Sequence, residues 1–541
     1  MAKIPLEDSS KGIHRAKLWE IGFYALNNTS TNAYMMLVAS ISYFLVGIVG
    51  VAAVIAGSIV TIMRIWDGVT DPFVGMMVDN TNTKFGKNRP FIVAGQVLLF
   101  GMTFVMFYFI PVMPSATRFV TFLVLYAVYI IGYTFQCVVT KSAQTCLTND
   151  PKQRPIFAMF DSVYNILLMS VFWPIYLSGT MVPKYTLNAA EHGDTLNALL
   201  AQTPALEKVL TEVDGVKTLS GLYNPAMWQE SQLTIGIIAA VFAVLAIIGL
   251  WRKDNSKYYG LGKAQKVSFK DYADVLAHNR GIQMLVLAAS SDKLALNSMS
   301  NSAVTVALFG IIFGDFALNG SVSAISAIPV ALFGIFGMGI IARNMGQKKC
   351  LVVGTVGGLA SAVAIGCLIA FGRDAGMALP TFSITNPQTW AGLFNGANWS
   401  VVGVLFIILF ILLKGFSQLS SSIVIPMTAD CADYEVYRSG RYVPGLMGTL
   451  FSFVDKCISS FAATIVAVAY AVIGFTDTLP TVEDPYSVGI LLVTLFCYLG
   501  VPMIGWILNV IAMKYYPLTK EKMAEIQDEI ARIKRESTQK A

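Results

Sequence analysis

Three charged residues stand close together in an otherwise apolar segment of the chain: Arg64, Asp67 and Asp71. A charge at the centre of a membrane-spanning helix costs roughly 2.5–3.5 kcal/mol on insertion scales, so a cluster of three indicates a functional site. Asp67 and Asp71 are one helical turn apart and share a face. Because two neighbouring carboxylates in a low-dielectric cavity resist being ionised together, the pair is suited to take up a proton or a monovalent cation. Thr70 and the backbone carbonyls near Pro72 can add the neutral oxygens that Na⁺ prefers.

Arg64 offers an alternative explanation for one of these acids. It lies one turn before Asp67, so the two side chains can form an ion pair that only holds the helices together. Asp71 would still lack a full partner in that arrangement. The residues therefore favour a cation site at Asp67 and Asp71, with Arg64 as a charge partner, over a purely structural ion pair.

These charges belong to a chain that is mostly apolar. Of its 541 residues, 55% are hydrophobic and 13% are charged, whereas about a quarter of the residues of an average soluble protein are charged. Apolar runs recur along the chain, and each is long enough to cross a hydrocarbon core about 30 Å thick. The composition predicts a multi-pass protein of the cell membrane and excludes an ordinary soluble enzyme. The sequence has no CxxC, HExxH or P-loop motif, so we expect no cofactor and no ATP-driven transport.

The apolar runs predict an all-α fold with twelve transmembrane helices. We place them at residues 18–46, 50–78, 89–112, 118–147, 155–181, 232–251, 281–313, 321–342, 350–371, 400–428, 445–475 and 486–514. Most of the 38 lysines and arginines fall in the N-terminal segment, in the connections after even-numbered helices and in the C-terminal tail. By the positive-inside rule, both termini are cytoplasmic. The net charge of +6 therefore reflects topology, and we expect no nucleic-acid partner.

A weak internal repeat divides the chain in two. The second predicted helix is followed by a basic loop with Lys84, Lys87 and Arg89, and the eighth is followed by Lys348 and Lys349. Such symmetry is typical of major facilitator transporters, in which two six-helix halves enclose a site at the midplane. The predicted segments are a cytoplasmic N-terminus (1–17), a first half (18–251) with an outer insertion (182–231), a cytoplasmic linker (252–280), a second half (281–514) with an outer insertion (373–399), and a charged cytoplasmic tail (515–541).

Two ordered motifs carry a family resemblance. The first runs through Asp67, Asp71, Pro72, Gly75, Asp79, Thr81, Thr83, Lys84, Gly86, Lys87, Arg89 and Pro90, and the second through Asp430, Asp433, Tyr434, Arg441, Gly445 and Lys456. Together they resemble the glycoside-pentoside-hexuronide:cation symporters, the melibiose-carrier branch of the major facilitator superfamily. The resemblance implies that Asp67 and Asp71 bind the coupling cation, Na⁺ or H⁺. It also implies that Thr134 is a further ligand and that Lys456 lies near the site.

Two of these elements have roles that can be argued from position. Lys456 falls about three turns into the eleventh predicted helix, close to the bilayer midplane, where an ammonium without a partner is costly. We expect it to face Asp67 or Asp71. In the loop that begins at Asp79, we expect Lys84, Lys87 and Arg89 to pair with facing helices and latch the cytoplasmic side closed. This loop would then control the conformational cycle rather than the choice of solute.

The sugar-binding residues of melibiose carriers do not carry over. The aligned positions hold Asn28, Cys137 and Lys141 instead of two aspartates and a tryptophan. The candidate solute-binding residues are therefore Tyr24, Asn28, Asn32, Gln136, Lys141 and Lys293. Unpaired lysines in a cavity, such as Lys293 or Lys414, would favour an anionic solute. The alternative is that each lysine is matched to a carboxylate or carbonyl from another helix.

These observations favour a secondary active symporter. It would use a cation gradient to import a sugar, glycoside or sugar acid by alternating access, as a monomer surrounded by membrane lipid. One alternative is a lysophospholipid carrier, because a lipid-transporting branch of the same family shares these motifs. Another is a membrane sensor or scaffold, which would predict large soluble domains or a degraded cation site. The sequence shows only a short charged tail, with Asp67 and Asp71 intact.

Overall fold

The computed structural model describes residues 7–8, 13–81, 83–148, 153–255, 258, 274, 276–372, 378–381, 399–439, 444–526, 528–529 and 532. Within these residues, ten helices are long and apolar enough to cross a membrane, and two bent helix pairs bring the number of spans to twelve. The first six spans are α1 (Leu18–Val38 and Ile41–Val49), α2 (Ala53–Asn80), α3 (Arg89–Phe109), α4 (Ser115–Leu147), α5 (Met159–Tyr185) and α6 (Pro225–Leu250). The last six are α7 (Arg280–Met299 and Ser302–Ile312), α8 (Ala317–Gly337), α9 (Gln347–Gly372), α10 (Val401–Ser439), α11 (Pro444–Ala471) and α12 (Val488–Tyr515).

The bends fall at equivalent places in the two sets of six helices. The first helix of the first set, α1, bends by 41°, and the first helix of the second set, α7, bends by 49°. In α7 the cause is local, because the Asn301 side chain accepts a hydrogen bond from the Ala303 N–H at 3.0 Å and caps a new helix. The repeated position of the bend agrees with the internal repeat read from the sequence.

The two sets of six helices meet along few lines of contact. Within the first set α1 packs along α6 and α3 along α4, and within the second set α7 packs along α12 and α9 along α10. The sets touch each other mainly where α2 meets α11 and where α5 meets α8. Gly57 makes the first contact close, since a Cβ there would come within 2.8 Å of the Ala463 carbonyl oxygen. The lines of contact leave a space between the sets.

A small folded unit, the cap (residues 186–224), covers the end of the helices away from the termini. Its strand Val216–Leu219 pairs antiparallel with both Leu187–Asn188 and Thr211–Val213. Asp214 and Gly215 connect two of these strands with positive φ, as a two-residue hairpin turn requires. The remaining elements are the helix Ala189–Gln202 and the 3₁₀ turns Pro204–Val209 and Gly221–Tyr223. A second, isolated hairpin joins Glu7–Asp8 and Ile13–His14.

The observed boundaries differ most from the predicted ones in the sixth and tenth helices. The sixth helix begins at Pro225 rather than near 232, because Asn224 caps it and proline is favoured at the first helical position. The tenth continues to Ser439 rather than ending near 428. The predicted N-terminus 1–17, linker 252–280, insertion 373–399 and tail 515–541 each lie partly outside the described residues. The division of the chain into those segments stays a prediction.

Candidate cation and solute site

A cavity of about 940 Å³ lies between the two sets of helices. Its volume falls within the range of small-molecule sites, roughly 300–1,000 Å³. Four charged residues line it: Arg64, Asp67, Asp161 and Lys414. The other lining side chains that can contact a polar solute include serine and threonine hydroxyls, amides and aromatic rings, among them Asn165, Asn297, Asn319, Gln418, Tyr129, Tyr133, Trp173 and Tyr498. The lining suits a solute that needs both hydrogen bonds and ring stacking.

The two carboxylates of α2 meet a lysine of α11 beside this cavity. The Lys456 ammonium lies 2.9 Å from Asp67 Oδ2 and 2.6 Å from Asp71 Oδ2. The Asp67 side chain is only 2% exposed, whereas that of Asp71 is 30% exposed and that of Lys456 is 20% exposed. The predicted contact between Lys456 and the carboxylates is therefore present. One ammonium therefore bridges two carboxylates, and a single positive charge is shared between two negative ones.

Hydroxyl groups complete the surroundings of Asp67. Thr134 Oγ1 of α4 lies 3.2 Å from Asp67 Oδ1 and 3.2 Å from Thr70 Oγ1. Pro72 stands inside α2 and has no N–H, so the carbonyl of Gly68 loses its usual helical donor. The structure thus brings together Asp67, Thr70 and Thr134, three of the four predicted cation ligands, with Asp71 held to them through Lys456. These are hard oxygen donors.

Arg64 contributes less to this cluster than Lys456 does. Its Nη1 atom lies 3.9 Å from Asp67 Oδ2, at the limit of an ion pair, and its side chain is 42% exposed. The Lys456 ammonium lies closer to the same oxygen, at 2.9 Å rather than 3.9 Å. The alternative in which Arg64 alone neutralises Asp67 therefore does not describe the structure.

The neighbouring residue on α11 forms a separate ion pair. Asp455 Oδ2 lies 2.5 Å from the Lys293 ammonium of α7. Asp292, next to Lys293, points elsewhere and accepts hydrogen bonds from Ser420 Oγ at 2.9 Å and from the Trp506 ring N–H at 2.7 Å. Lys293 is thus matched to a carboxylate, which was the alternative considered for the intramembrane lysines.

The other predicted solute-binding residues lie behind the cavity wall or away from it. The Tyr24 hydroxyl donates to the Val139 carbonyl at 2.7 Å, and the Gln136 amide donates to the Ile92 carbonyl at 2.8 Å. Both side chains are fully buried. Lys141 is exposed. None of these three lines the cavity formed by the described residues, nor does Lys293.

Asn28 and Asn32 do not line the cavity of the described residues, but each donates a hydrogen bond to a residue that does. Asn28 Nδ2 donates to Asp161 Oδ1 at 2.7 Å, and Asn32 Nδ2 donates to Asn165 Oδ1 at 2.6 Å. Asp161 and Asn165 themselves face the cavity. These two α5 residues are not among the predicted solute-binding residues. A carboxylate inside an apolar segment is the signal that would have identified Asp161.

The basic loop before α3 has a different partner from the expected facing helices. Asp254 accepts hydrogen bonds from the backbone N–H groups of Lys87 at 3.2 Å, Asn88 at 3.0 Å and Arg89 at 2.9 Å. The Arg89 Nε atom lies 3.4 Å from the same carboxylate, and its guanidinium lies 4.8 Å from the centre of the Trp251 ring. Free N–H groups at the start of a helix attract an anion, which explains the choice of partner. Lys84 is exposed, and the Asp79 side chain lies outside the described structure.

Several contacts close the end of the cavity away from the termini. The Tyr43 hydroxyl donates to the Pro480 carbonyl at 2.5 Å, and the Tyr223 hydroxyl of the cap donates to the Leu479 carbonyl at 3.0 Å. The Leu479 N–H donates back to the Tyr223 hydroxyl at 2.8 Å. Each contact joins the first set of helices, or its cap, to the connection between α11 and α12. The two sets of helices are therefore sealed together at this end.

The chain matches the family profile described as MFS/sugar transport protein over residues 23–520. It belongs to this family. The protein is thus a multi-pass transporter of the cell membrane. The family resemblance predicted from the two motifs is confirmed. The isoprimeverose transporter of Lactiplantibacillus pentosus is 21% identical, with 95% of this chain and 92% of the relative covered. A glucuronide carrier protein homolog of Escherichia coli (strain K12) is also 21% identical, with 94% of each chain covered.

Other similarities are more local or concern the fold alone. A putative glycoside/cation symporter, YagG of Escherichia coli (strain K12), is 33% identical over 135 residues, which is 24% of this chain and 28% of the relative. Among solved structures, the nucleoside transporter NupG superposes with a TM-score of 0.56 at 10% identity, covering 93% of this chain and 100% of that one. A D-xylose-proton symporter superposes with a TM-score of 0.51 at 12% identity, covering 93% and 97%. The predicted major facilitator fold is confirmed.

Proposed function

We propose that this transporter is a symporter that couples import of a sugar, glycoside or sugar acid to the entry of Na⁺ or H⁺. The observation that carries the proposal is the bridge from Lys456 to both Asp67 and Asp71, at 2.9 Å and 2.6 Å, on the edge of the cavity. An ammonium held between two acids occupies the position that a coupling cation would take. The names of the relatives, which include a glycoside/cation symporter and a glucuronide carrier homolog, support the solute class.

The different exposures of the two acids suggest the order of events. Asp71 is 30% exposed and Asp67 is 2% exposed, so an entering cation meets Asp71 first. As it moves to Asp67, with the hydroxyls of Thr70 and Thr134 beside it, it releases the Lys456 ammonium. In the empty carrier the Lys456 ammonium offsets one of the two negative charges, and in the loaded carrier the cation does. The site then stays compatible with a closed, water-poor cavity in both cases.

The position of the seal supports alternating access. If the termini are cytoplasmic, as the distribution of basic residues predicts, the contacts of Tyr43 and Tyr223 close the extracellular end. The structure then corresponds to a carrier that is shut toward the outside. Import requires a second state in which these contacts part, and a cation and a solute that both favour closure around them provide the coupling.

The cavity lining favours a sugar over a lipid. Amides such as Asn165 and Asn297 can hydrogen-bond to hydroxyls, and the rings of Tyr133 and Trp173 can stack against a sugar face. Relatives covered over nearly their full length carry the names of sugar carriers. A lysophospholipid carrier, the alternative within the same family, is not favoured by these observations. A sensor or scaffold without transport is not favoured either.

Uptake into proteoliposomes tests the proposal. Radiolabelled glycosides and glucuronides are offered with an imposed Na⁺ gradient, an imposed pH gradient or no gradient. We expect accumulation in the wild type under one of the gradients and its loss in Asp67→Asn and Asp71→Asn, because each substitution removes half of the negative charge that holds the cation. Asp477→Asn, which changes an exposed aspartate outside the spans, is the matched control. Wild-type accumulation by both site variants would show that the cation site is assigned wrongly.

A further inference from the structure

Lys414 is the cationic side chain of the cavity whose charge the cation site does not use. It lies on α10 and lines the cavity. Among the described residues its ammonium forms no ion pair or hydrogen bond. The ammonium lies 5.7 Å from the centre of the Phe410 ring on the same helix. A benzene ring is a weak partner for a cation, with about 0.5–2 kcal/mol of attraction. The positive charge of Lys414 is therefore largely available.

Three other intramembrane cations near the cavity each lie within 4 Å of an acid. Lys456 contacts Asp67 and Asp71, and Lys293 contacts Asp455 at 2.5 Å. Arg64 lies 3.9 Å from Asp67. Lys414 differs from all three, although it lies thirteen residues inside α10, about 20 Å along the helix axis. At that depth snorkelling to the membrane surface is difficult.

The acids that line the cavity do not compensate for Lys414. Asp67 is engaged by Lys456 and Thr134. Asp161 accepts a hydrogen bond from Asn28 at 2.7 Å. An ammonium that lines a membrane-embedded cavity without a carboxylate partner is costly unless water or an incoming anion solvates it. This environment makes Lys414 suited to meet a negative charge on the transported solute.

We propose that Lys414 binds the anionic group of the solute and makes the carrier select acidic glycosides, those with a carboxylate or a sulfate on the sugar ring, over neutral ones. The inference rests on the proposed function and narrows its solute class. An ammonium can donate three hydrogen bonds to such a group. Gln418, one turn further along α10, and Asn297 of α7 also line the cavity and can bind the hydroxyls of the same ring.

The role belongs to Lys414 rather than to Lys293. The Lys293 ammonium is already held by Asp455 at 2.5 Å, and Lys293 does not line the cavity of the described residues. The charge of Lys293 is thus already offset by a carboxylate whose side chain is 6% exposed. A solute anion would meet less net positive charge at Lys293 than at Lys414.

Two probes that differ only at one carbon test the proposal: methyl β-D-glucuronide, which carries a carboxylate, and methyl β-D-glucoside, which carries a hydroxymethyl group. Binding and uptake of each are measured for the wild type, Lys414→Met and Lys414→Arg. Loss of one charge-assisted contact should weaken glucuronide binding roughly ten- to a hundredfold in Lys414→Met. Glucoside binding should not change, and Lys414→Arg should restore most of the glucuronide affinity. The sulfate ester of the glucoside, used as a third probe, shows whether any anion suffices.

The outcomes separate this inference from the proposed function. If the wild type accumulates glucoside and glucuronide equally and Lys414→Met alters neither, the inference is wrong and the symporter proposal stands. If the wild type accumulates none of the probes under any gradient, both fail. If Lys414→Met and Lys414→Arg lose both probes equally while keeping wild-type thermal stability, Lys414 serves the transport cycle and not the choice of solute, which also overturns the inference.

Discussion

Replacing Lys456 with methionine removes the ammonium from the cation site while keeping most of the side-chain volume. The ammonium lies 2.9 Å from Asp67 and 2.6 Å from Asp71. At an effective dielectric constant of about 40, chosen because Lys456 and Asp71 are partly exposed, each contact contributes about 3 kcal/mol. Desolvation of the ions, several kcal/mol for each in a protein interior, offsets most of that sum. A net preference of roughly 2 kcal/mol remains, equivalent to about a thirtyfold change in an equilibrium constant.

A cation that enters the site must displace this ammonium. We therefore expect Lys456→Met to bind Na⁺ about thirtyfold more tightly than the wild type and to lose concentrative uptake, because the empty carrier then holds two carboxylates without the ammonium that bridges them. Calorimetric titration of the purified protein with NaCl at mildly alkaline pH measures the first effect, and gradient-driven uptake measures the second. Lys293→Met is the matched control, since it removes a lysine paired to Asp455. Unchanged Na⁺ affinity together with retained accumulation in Lys456→Met would refute the competition between lysine and cation.

Three further predictions concern the two ends of the carrier. Arg89→Ala should slow solute exchange with little change in equilibrium affinity, because it loosens the contact with Asp254 at 3.4 Å; a selective loss of affinity would reject this role. Tyr223→Phe removes both hydrogen bonds to Leu479. A loss of about 1 kcal/mol should increase about fivefold the rate at which a cysteine introduced at Asn301 is labelled from outside. Burial raises the pKa of the Glu483 carboxyl in the connection beside the cap, so its charged form disfavours the fold and stability falls as pH rises through that pKa. Glu483→Gln should then melt at a higher temperature than the wild type at neutral pH, with a difference that shrinks on acidification.

The features that follow from the cost of charge and polar backbone in a bilayer were predictable. Span positions depend on apolar length, and the twelve predicted spans match the structure except at helix ends such as the start of α6. The contact of Lys456 with Asp67 and Asp71 was also predictable, because an ammonium at midplane depth requires a partner and these acids require a cation. Both predictions need only the type of each residue and its depth in the membrane, and neither depends on how side chains pack.

The solute-facing residues were not predictable by the same reasoning. Tyr24 and Gln136 carry the polar groups of a sugar site, yet their hydrogen bonds go to backbone carbonyls of neighbouring helices. Which face of α1 or α4 points to the cavity depends on how the helices rotate against each other, and the sequence of one helix does not contain that information. Pairing between distant residues was equally hidden. Asp254 and Arg89, the first residue of α3, are 165 positions apart in the sequence.

The cation site lies on the contact between α2 and α11, and this contact continues toward the sealed end, where the Ala53 N–H of α2 donates to the Thr476 carbonyl after α11 at 3.0 Å. α2 and α11 are joined by Lys456 at Asp67, and again two turns away, where Thr61 Oγ1 donates to the Ser460 carbonyl at 2.8 Å. Thr61 and Asp67 are about 9 Å apart along the helix axis. Since a helix moves as a nearly rigid body, a shift of α2 against α11 at Lys456 also moves the Thr61 contact. We expect the exchange of the Lys456 ammonium for the cation to change this shared contact, so that the same residues that bind the ion also influence when the seal parts and forms again.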